Sequence, residues 1–248
     1  MIENISNATA ATALRPFLIR AVRKLWRVLV DRPFRHSMWL YLARPRGAFQ
    51  PFNDTQPDRY PVIFNFVQSA LGRDSSLKIL SYGCSTGEEV FSLRKYFPRA
   101  TIKGIDINAG NIAVCRRRLG VAPDVNIAFE VAASTSVELS DAYDAIFCMA
   151  VLRHGSLGLP GITRCDPLLR FEDFARTVAD FARCLMPGGL LVIRHSHFRL
   201  SDAPVGARFD TILRVPLGAA KPLIFGPDNR LLPGCEYPDT VFRKKRAG

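Results

Sequence analysis

The stretch that most constrains this chain is Lys78 to Tyr96, KILSYGCSTGEEVFSLRKY. Ile79-Leu80-Ser81-Tyr82 is a short, mostly apolar run of the kind that forms a buried strand. Gly83-Cys84-Ser85-Thr86-Gly87 follows as a turn, and Val90, Leu93 and Phe97 then recur at helical spacing. Strand, glycine turn and helix in this order mark the carboxyl edge of an open α/β sheet, where nucleotide-like ligands bind.

Residue types narrow the ligand. A phosphate-cradling loop needs Lys followed by Ser or Thr after its last glycine. Here Glu88-Glu89 follow Gly87, and two carboxylates repel a triphosphate. A dinucleotide turn needs glycines at its first, third and sixth positions, which Gly83 and Gly87 do not supply. An acidic residue just past the turn suits a ligand bearing an ammonium group, and S-adenosylmethionine (SAM) bears one. SAM is therefore the favoured ligand.

Alternation of strand and helix continues along the chain. Ala100 to Asp106 reads as a second strand ending in an acid, and a helix follows from an Asn108 cap to Leu119. Val125–Val131 and Tyr143–Met149 read as a third and fourth strand. Arg153 to Cys165 is a connection long enough for an active-site loop. Asp166-Pro167 suggests a cap and first-turn proline for the helix striped by Phe171, Phe174, Val178 and Leu185. Met186 to Gly189 ends that helix, and Leu190–Ile193 is a fifth strand. Pro222–Phe225 and Thr240–Arg243 are the weaker candidates for the last strands. The expected fold is α/β, Rossmann-like, with a mostly parallel sheet of the seven-strand type and helices on both faces. Residues 51–248 form that domain, and residues 1–50 form a basic N-terminal helical extension.

Charge is unevenly placed on this 248-residue chain of net charge +12. Residues 1–50 hold nine Lys/Arg against two Asp/Glu, and residues 194–248 hold ten against five, while the middle is balanced. Leu14 to Val30 has amphipathic helix spacing with Arg15, Arg20, Arg23, Lys24 and Arg27 interspersed. Such a helix packs on its own domain, meets an acidic partner, or lies on an anionic membrane surface through residues 14–35. No run reaches the roughly 20 apolar residues of a membrane span. No signal-peptide pattern opens the chain, and the six cysteines show no metal or disulfide spacing. A cytoplasmic protein without a metal site, peripheral to a membrane at most, is expected.

Several segments together resemble the class I SAM-dependent methyltransferases over roughly residues 50–200. They are KILSYGCSTGEEVFSL, GID at the end of the second strand, YDAIFCMAVL as the fourth, and LMPGGLLVI before and through the fifth. Within that superfamily the chain is similar to the CheR-type catalytic domain, which methylates protein glutamates. CSTGEE is intact as Cys84 to Glu89. The N-x-T-x-x-x-R element appears as Asn53, Thr55 and Arg59, FC-x-x-VL as Phe147 to Leu152, and PGG…HS as Pro187 to Ser196. The likeness fails at Ala150, where the family carries Asn, at Ala133-Ser134, where an acid contacts adenine, and at His197, where an acid follows the HS pair. Glutamate methylation is therefore not carried over.

The resemblance implies a cofactor set of Gly83, Cys84, Ser85, Gly87, Glu88, Asp106, Ile107 and Met149. Gly83 and Gly87 would admit the methionine part, Asp106 would accept from the ribose hydroxyls, and Glu88 would face the ammonium group. Arg59 would reach cofactor or a substrate carboxylate with its planar fork. Methyl transfer needs a proton acceptor when the nucleophile carries a proton. His154 follows the fourth strand with Arg153, and His195 and His197 follow the fifth. His154, His197 and Arg59 are the expected catalytic set. Each of these residues also has an ordinary structural role open to it, as a cap, a turn or a hydrogen-bonded core side chain.

The expected function is SAM-dependent methyl transfer to an unidentified small-molecule or protein acceptor. The alternative is a non-catalytic, methyltransferase-like module acting through its basic helix, motivated by the missing Asn and adenine-side acid. Nucleic-acid methylation rests on charge alone. It lacks the Asn/Asp-Pro-Pro-aromatic signature after the fourth strand, so nucleic acid is not an expected partner.

Overall fold

A computed structural model describes residues 22–23, 26–45, 47–52, 55–73, 76–159, 161–218 and 221–246. The elements are α1 (Arg32–Ala43), α2 (Pro61–Leu71), β1 (Lys78–Tyr82), α3 (Glu88–Tyr96), β2 (Thr101–Asp106) and α4 (Ala109–Val121). They continue as β3 (Ile127–Val131), β4 (Tyr143–Met149), α5 (Phe171–Cys184), β5 (Leu185–Arg194), β6 (Phe209–Arg214) and β7 (Asp239–Lys244).

Seven strands form one sheet in the order β3-β2-β1-β4-β5-β7-β6. β1 to β5 are parallel, and β7 runs antiparallel between β5 and β6. The strand order reverses between β1 and β4, which opens a crevice at their carboxyl ends.

Both faces of the central strands are buried, so alternate residues feed two cores. Tyr82, Ile146, Cys148, Leu191 and Ile193 join Phe174 and Phe181 of α5 on one face. Ile79, Phe147, Leu190 and Val192 join Phe64 of α2 and Val90 and Leu93 of α3 on the other. Fully buried aromatic rings such as Phe64, Phe147, Phe174 and Phe181 each contribute about 1.5–3 kcal/mol of transfer free energy.

The extension takes part in this packing. Phe49 joins the α5-side core. Asn108, the N-cap of α4, accepts from Gly110 N and Asn111 N through Oδ1 and donates through Nδ2 to Pro33 O and Ser37 Oγ of α1. Gly110 permits that approach, since a Cβ there would lie 2.8 Å from Arg32 O and from Pro33. The expected helix over 14–30 lies largely outside the described residues, although residues 22–23 and 26–30 are helical.

Three local expectations are corrected. The sixth strand is Phe209–Arg214, not Pro222–Phe225. The run around Leu223 instead packs as irregular chain under His197, whose backbone O accepts from Phe225 N at 2.9 Å. Asp166 does not cap α5: its carboxylate pairs with Arg164. Asn229 from a distant turn accepts from Phe171 N at 2.7 Å in its place. β5 begins at Leu185, so the Pro187-Gly188-Gly189 run lies within the strand rather than between helix and strand.

Candidate functional site

The glycine turn is built from β1, β2 and the start of α3. Gly83 N and Cys84 N both donate to Ile105 O, at 2.8 and 3.0 Å, and Gly87 N donates to Cys84 O at 3.0 Å. Ser85 N donates to Asp106 Oδ2 at 2.9 Å. These four N–H groups are spent inside the protein, so the turn does not cradle a phosphate with them. Gly83 has φ +72°, and a Cβ there would lie 2.4 Å from Val151 Cγ2. The segment leaving β4 is thus pressed against the turn, and only glycine fits between them.

Beside the turn lies a cavity with about 1160 Å³ of empty space, part of it open to solvent. Gly83, Cys84, Ser85, Asp106, Ile107 and Met149 line it, as does Arg59. These seven of the expected residues come from the ends of β1, β2 and β4 and from the chain before α2. Leu40, Gly47, Phe49 and Gln50 of the extension complete the wall.

Asp106 is the best-defined group. Oδ2 accepts from Ser85 N, and Oδ1 accepts from Asn108 N at 2.7 Å and from Asn111 Nδ2 at 3.2 Å. Burial raises its pKa, and these bonds work against that rise. A carboxylate offers about four lone-pair sites, so three bonds leave capacity for about one ribose hydroxyl rather than two. Ser85 Oγ is buried and has no hydrogen-bond partner among the described residues. An unsatisfied hydroxyl in a cavity wall is what a polar ligand would complete.

Four expected residues are placed elsewhere. Gly87, with φ +94°, is the N-cap of α3 and does not line the cavity. Glu88 is also outside it: Oε1 pairs with Arg118 at 2.7 Å and Oε2 accepts from Thr86 Oγ1. One residue further on, about 100° around the helix, Glu89 lines the cavity instead. Burial pushes its pKa up to about 7, against the lowering effect of a hydrogen bond from Ser81.

His154 and His197 do not line the cavity. His154 is buried and caps a short 3-10 turn, its Nδ1 accepting from Ser156 N at 3.3 Å. His197 is 2% exposed, with Nδ1 2.6 Å from Leu223 O and Nε2 3.2 Å from His154 O. Burial lowers the pKa of both. Both His197 nitrogens face backbone carbonyls and Nδ1 of His154 accepts from the backbone, so the structure places these two rings outside the cavity that the other expected residues share.

The residues that sequence reasoning passed over are Glu89, Asn111, Tyr60 and Tyr82, all lining the cavity. Glu89 was legible in principle, because helical geometry separates two adjacent glutamates onto different faces. Tyr82 Oη donates to Ala133 O at 2.8 Å, fixing the wall just past β3. No group of three or more His, Cys, Asp or Glu able to hold a metal occurs among the described residues.

Comparison with known proteins matches residues 73–212 to the model of a methyltransferase domain, more than half of the chain. Trans-aconitate 2-methyltransferase of Deinococcus radiodurans is 29% identical over 171 residues, covering 63% of this chain and 57% of that protein. An uncharacterized protein of Synechococcus is 30% identical over 163 residues, covering 62% of this chain and 35% of its own. The chain thus spans about a third to just over half the length of these curated relatives. Among solved structures, the YcgJ protein of Bacillus subtilis is 12% identical with a TM-score of 0.49, covering 76% of this chain and 100% of its own. Phosphoethanolamine N-methyltransferase 2 of Haemonchus contortus, solved with SAM, is 16% identical with a TM-score of 0.43, covering 57% of this chain and 29% of its own. With its sheet order, its glycine turn and the match over residues 73–212, this chain belongs to the methyltransferase-domain family.

Proposed function

We propose that the protein binds SAM in the cavity beside the glycine turn and transfers its methyl group to an acceptor held past the ends of β4 and β5. The observation that carries the reading is the placement of Asp106, Ser85 and Glu89 in one cavity at the point where the strand order reverses. Asp106 would hold a ribose hydroxyl, and Glu89, once ionised, would face the ammonium group. Ser85 Oγ would gain a partner it lacks. When bound, SAM supplies an electrophilic methyl group on a sulfonium. The chain's part is to orient it and keep water out, with Phe49 and Leu40 forming the apolar wall.

The finer relation, to the CheR-type domain, is part of this proposal. It is supported by the intact run Cys84 to Glu89, whose second glutamate lines the cavity. Titrating the purified protein with S-adenosylhomocysteine tests the reading. Saturable binding, weakened about 10-fold or more in Asp106→Ala, is expected; no binding at millimolar ligand would sink it.

The non-catalytic alternative is favoured by Ala150, which stands where CheR-type domains carry Asn. A labelled methylated product from radiolabelled SAM removes that alternative, whereas cofactor binding with no product in any extract supports it.

We also propose that residues 1–50, the extension to the domain at 51–248, bring the protein to an anionic membrane surface. Val22, Trp26, Leu29, Val30, Trp39 and Leu42 are between 56% and 74% exposed, with exposed Arg23, Arg27, Arg32 and Arg35 among them. Apolar and aromatic groups set among arginines match an acidic headgroup layer. No helix among the described residues is long and apolar enough to cross a membrane.

A further inference from the structure

A second cavity lies behind the wall that the extension adds to the first. It has about 1320 Å³ of empty space, part of it open to solvent. Leu40, Gly47, Phe49 and Pro51 line both cavities, so the chain between α1 and α2 separates them. Gly47 fits against Ala133, where an added Cβ would lie 3.0 Å from the carbonyl oxygen, and Gln50 Oε1 accepts from Gly155 N at 3.3 Å. The partition is thus held on both sides, and Asp106, Ser85 and Glu89 line only the first cavity.

Three donors line the second cavity from three parts of the chain: Arg44, His154 and Arg170. Arg44 closes α1 in the left-handed conformation, φ +44°, at a helix end where glycine is usual and a side chain costs about 1–2 kcal/mol. Its Nη1 donates to Pro167 O at 3.0 Å, and its guanidinium carbon lies 5.9 Å from the Tyr41 ring centroid. Arg170 is the N-cap of α5 and, like Arg44, is exposed. Neither forms an ion pair among the described residues. Of the acids on the lining, Asp166 is held by Arg164 and Asp173 by Arg176, which leaves Glu172. His154 is only 7% exposed, and its Nδ1 accepts from Ser156 N, so in the neutral ring Nε2 carries the hydrogen. Burial, and then the charge of Arg44, lowers its pKa and keeps the ring neutral. That Nε2–H has no acceptor among the described residues.

We infer that this second cavity binds a phosphate monoester, its terminal oxygens taken by Arg44, Arg170 and the Nε2–H of His154, its organic part against Tyr41 and Pro167. Donors from three directions suit a group with three free oxygens. A carboxylate presents two in one plane, and a phosphodiester keeps only two unesterified. Glu172 alone does not cancel two unpaired guanidiniums, so the lining favours an anion. Binding here is separate from methyl transfer and stands whatever the first cavity does. Two sources share this chemistry, a soluble metabolite and the headgroup of a phosphatidic acid. Trp39 and Leu42, exposed on α1 on either side of Tyr41 in the chain, bring the second source within reach.

Calorimetric titration with phenyl phosphate at constant ionic strength tests the site. Saturable binding at millimolar ligand is expected, with benzoate binding more weakly. Arg44→Ala and Arg170→Ala should each weaken phenyl phosphate by about 5-fold, as suits exposed guanidiniums, and leave S-adenosylhomocysteine affinity unchanged. In the wild type, the His154 Nε2 resonance should shift saturably with phenyl phosphate and not with sodium chloride. Sedimentation with vesicles of matched surface charge tells the sources apart. A preference for phosphatidic acid over phosphatidylglycerol, lost in Arg44→Ala, marks a lipid headgroup, whereas equal sedimentation beside phenyl phosphate binding marks a soluble monoester. No saturable binding, benzoate as tight as phenyl phosphate, unchanged affinity in both variants, or an unmoved His154 resonance overturns the assignment.

Discussion

Ser81 Oγ donates to Glu89 Oε1 at 2.7 Å, tying the end of β1 to the first turn of α3, where Glu89 lines the cavity. One hydrogen bond does not match the hydration a carboxylate has in water, so burial dominates and the Glu89 pKa rises to about 7. Near neutrality this carboxyl is divided between its two forms, and a cationic ligand would select the charged one.

For Glu89, the folded pKa lies above the unfolded one, so stability falls as pH rises from about 4.5 to about 7 and then stays lower. Glu89→Gln should therefore stabilise the ligand-free protein at pH 8 by about 2 kcal/mol, less than the full shift implies because the cavity admits water. Its melting temperature should rise by roughly 5 °C. Ligand binding should move the opposite way. S-adenosylhomocysteine affinity should increase from pH 6 to 8 in the wild type and be weaker and pH-independent in Glu89→Gln. Calorimetric titration at three pH values checks both signs, and an unchanged affinity in the variant would remove Glu89 from the ammonium site.

The histidines impose the reverse slope. His154, His195 and His197 all have pKa values lowered chiefly by burial. The unfolded chain binds their protons first, so stability present above about pH 6.5 is lost as pH falls toward 4. In the wild type, Glu89 partly offsets this loss between pH 7 and 4.5. Melting curves of Glu89→Gln should therefore fall more steeply on acidification than those of the wild type. His195→Gln should flatten the acid limb. Parallel curves for wild type and Glu89→Gln would contradict the assignment.

Asp106 joins fold and site, so its replacement should show in both. Asp106→Ala leaves Ser85 N, Asn108 N and Asn111 Nδ2 without their acceptor, a cost of about 2–4 kcal/mol in melting experiments. Loss of the ribose contact should weaken S-adenosylhomocysteine by about 10-fold or more. Asp106→Asn keeps an acceptor oxygen and should recover most of the stability but less of the affinity. Equal recovery of the two would reduce Asp106 to a structural cap.

The order of strands and helices was legible because both faces of β1, β2, β4 and β5 are buried and read as apolar runs. The Tyr143–Met149 strand was read to the residue. β6 was not, because FDTILR is a half-exposed edge strand whose Asp210, Thr211 and Arg214 hide its pattern. The apolar run at Leu223 looked more strand-like but is buried as loop. Asp106 was legible from its place at a strand end. Glu88 and Glu89 needed the helix phase, which the turn geometry sets. His154 and His197 were drawn to the site by their position after β4 and β5. Nothing in their local sequence reveals that Leu223, 26 residues away, would supply the carbonyl at His197 Nδ1.

Ala150 has φ +60°, the left-handed region where a Cβ costs about 1–2 kcal/mol. Asparagine tolerates that conformation more readily than alanine does. Ala150→Gly and Ala150→Asn should each stabilise the protein by about 1 kcal/mol, raising the melting temperature by roughly 2–4 °C. Destabilisation by both would mean that the methyl group of Ala150 has packing worth more than the backbone strain.

The exposed Trp26 and Trp39 give the membrane proposal its own readout. These residues are 63% and 59% exposed and are both tryptophans of the chain, so insertion among headgroups should blue-shift the intrinsic fluorescence. Vesicles with anionic lipid should sediment the protein at low salt, and neutral vesicles should not. Each surface arginine adds about 1 kcal/mol at such a membrane and is screened within a Debye length. Arg27→Glu with Arg35→Glu should therefore abolish sedimentation, whereas Trp26→Ser with Trp39→Ser should weaken it and erase the blue shift. Neither pair should change S-adenosylhomocysteine affinity, because none of the four residues lines the cavity. Binding that is equal on neutral and anionic vesicles, or insensitive to salt, would rule out an electrostatic surface contact.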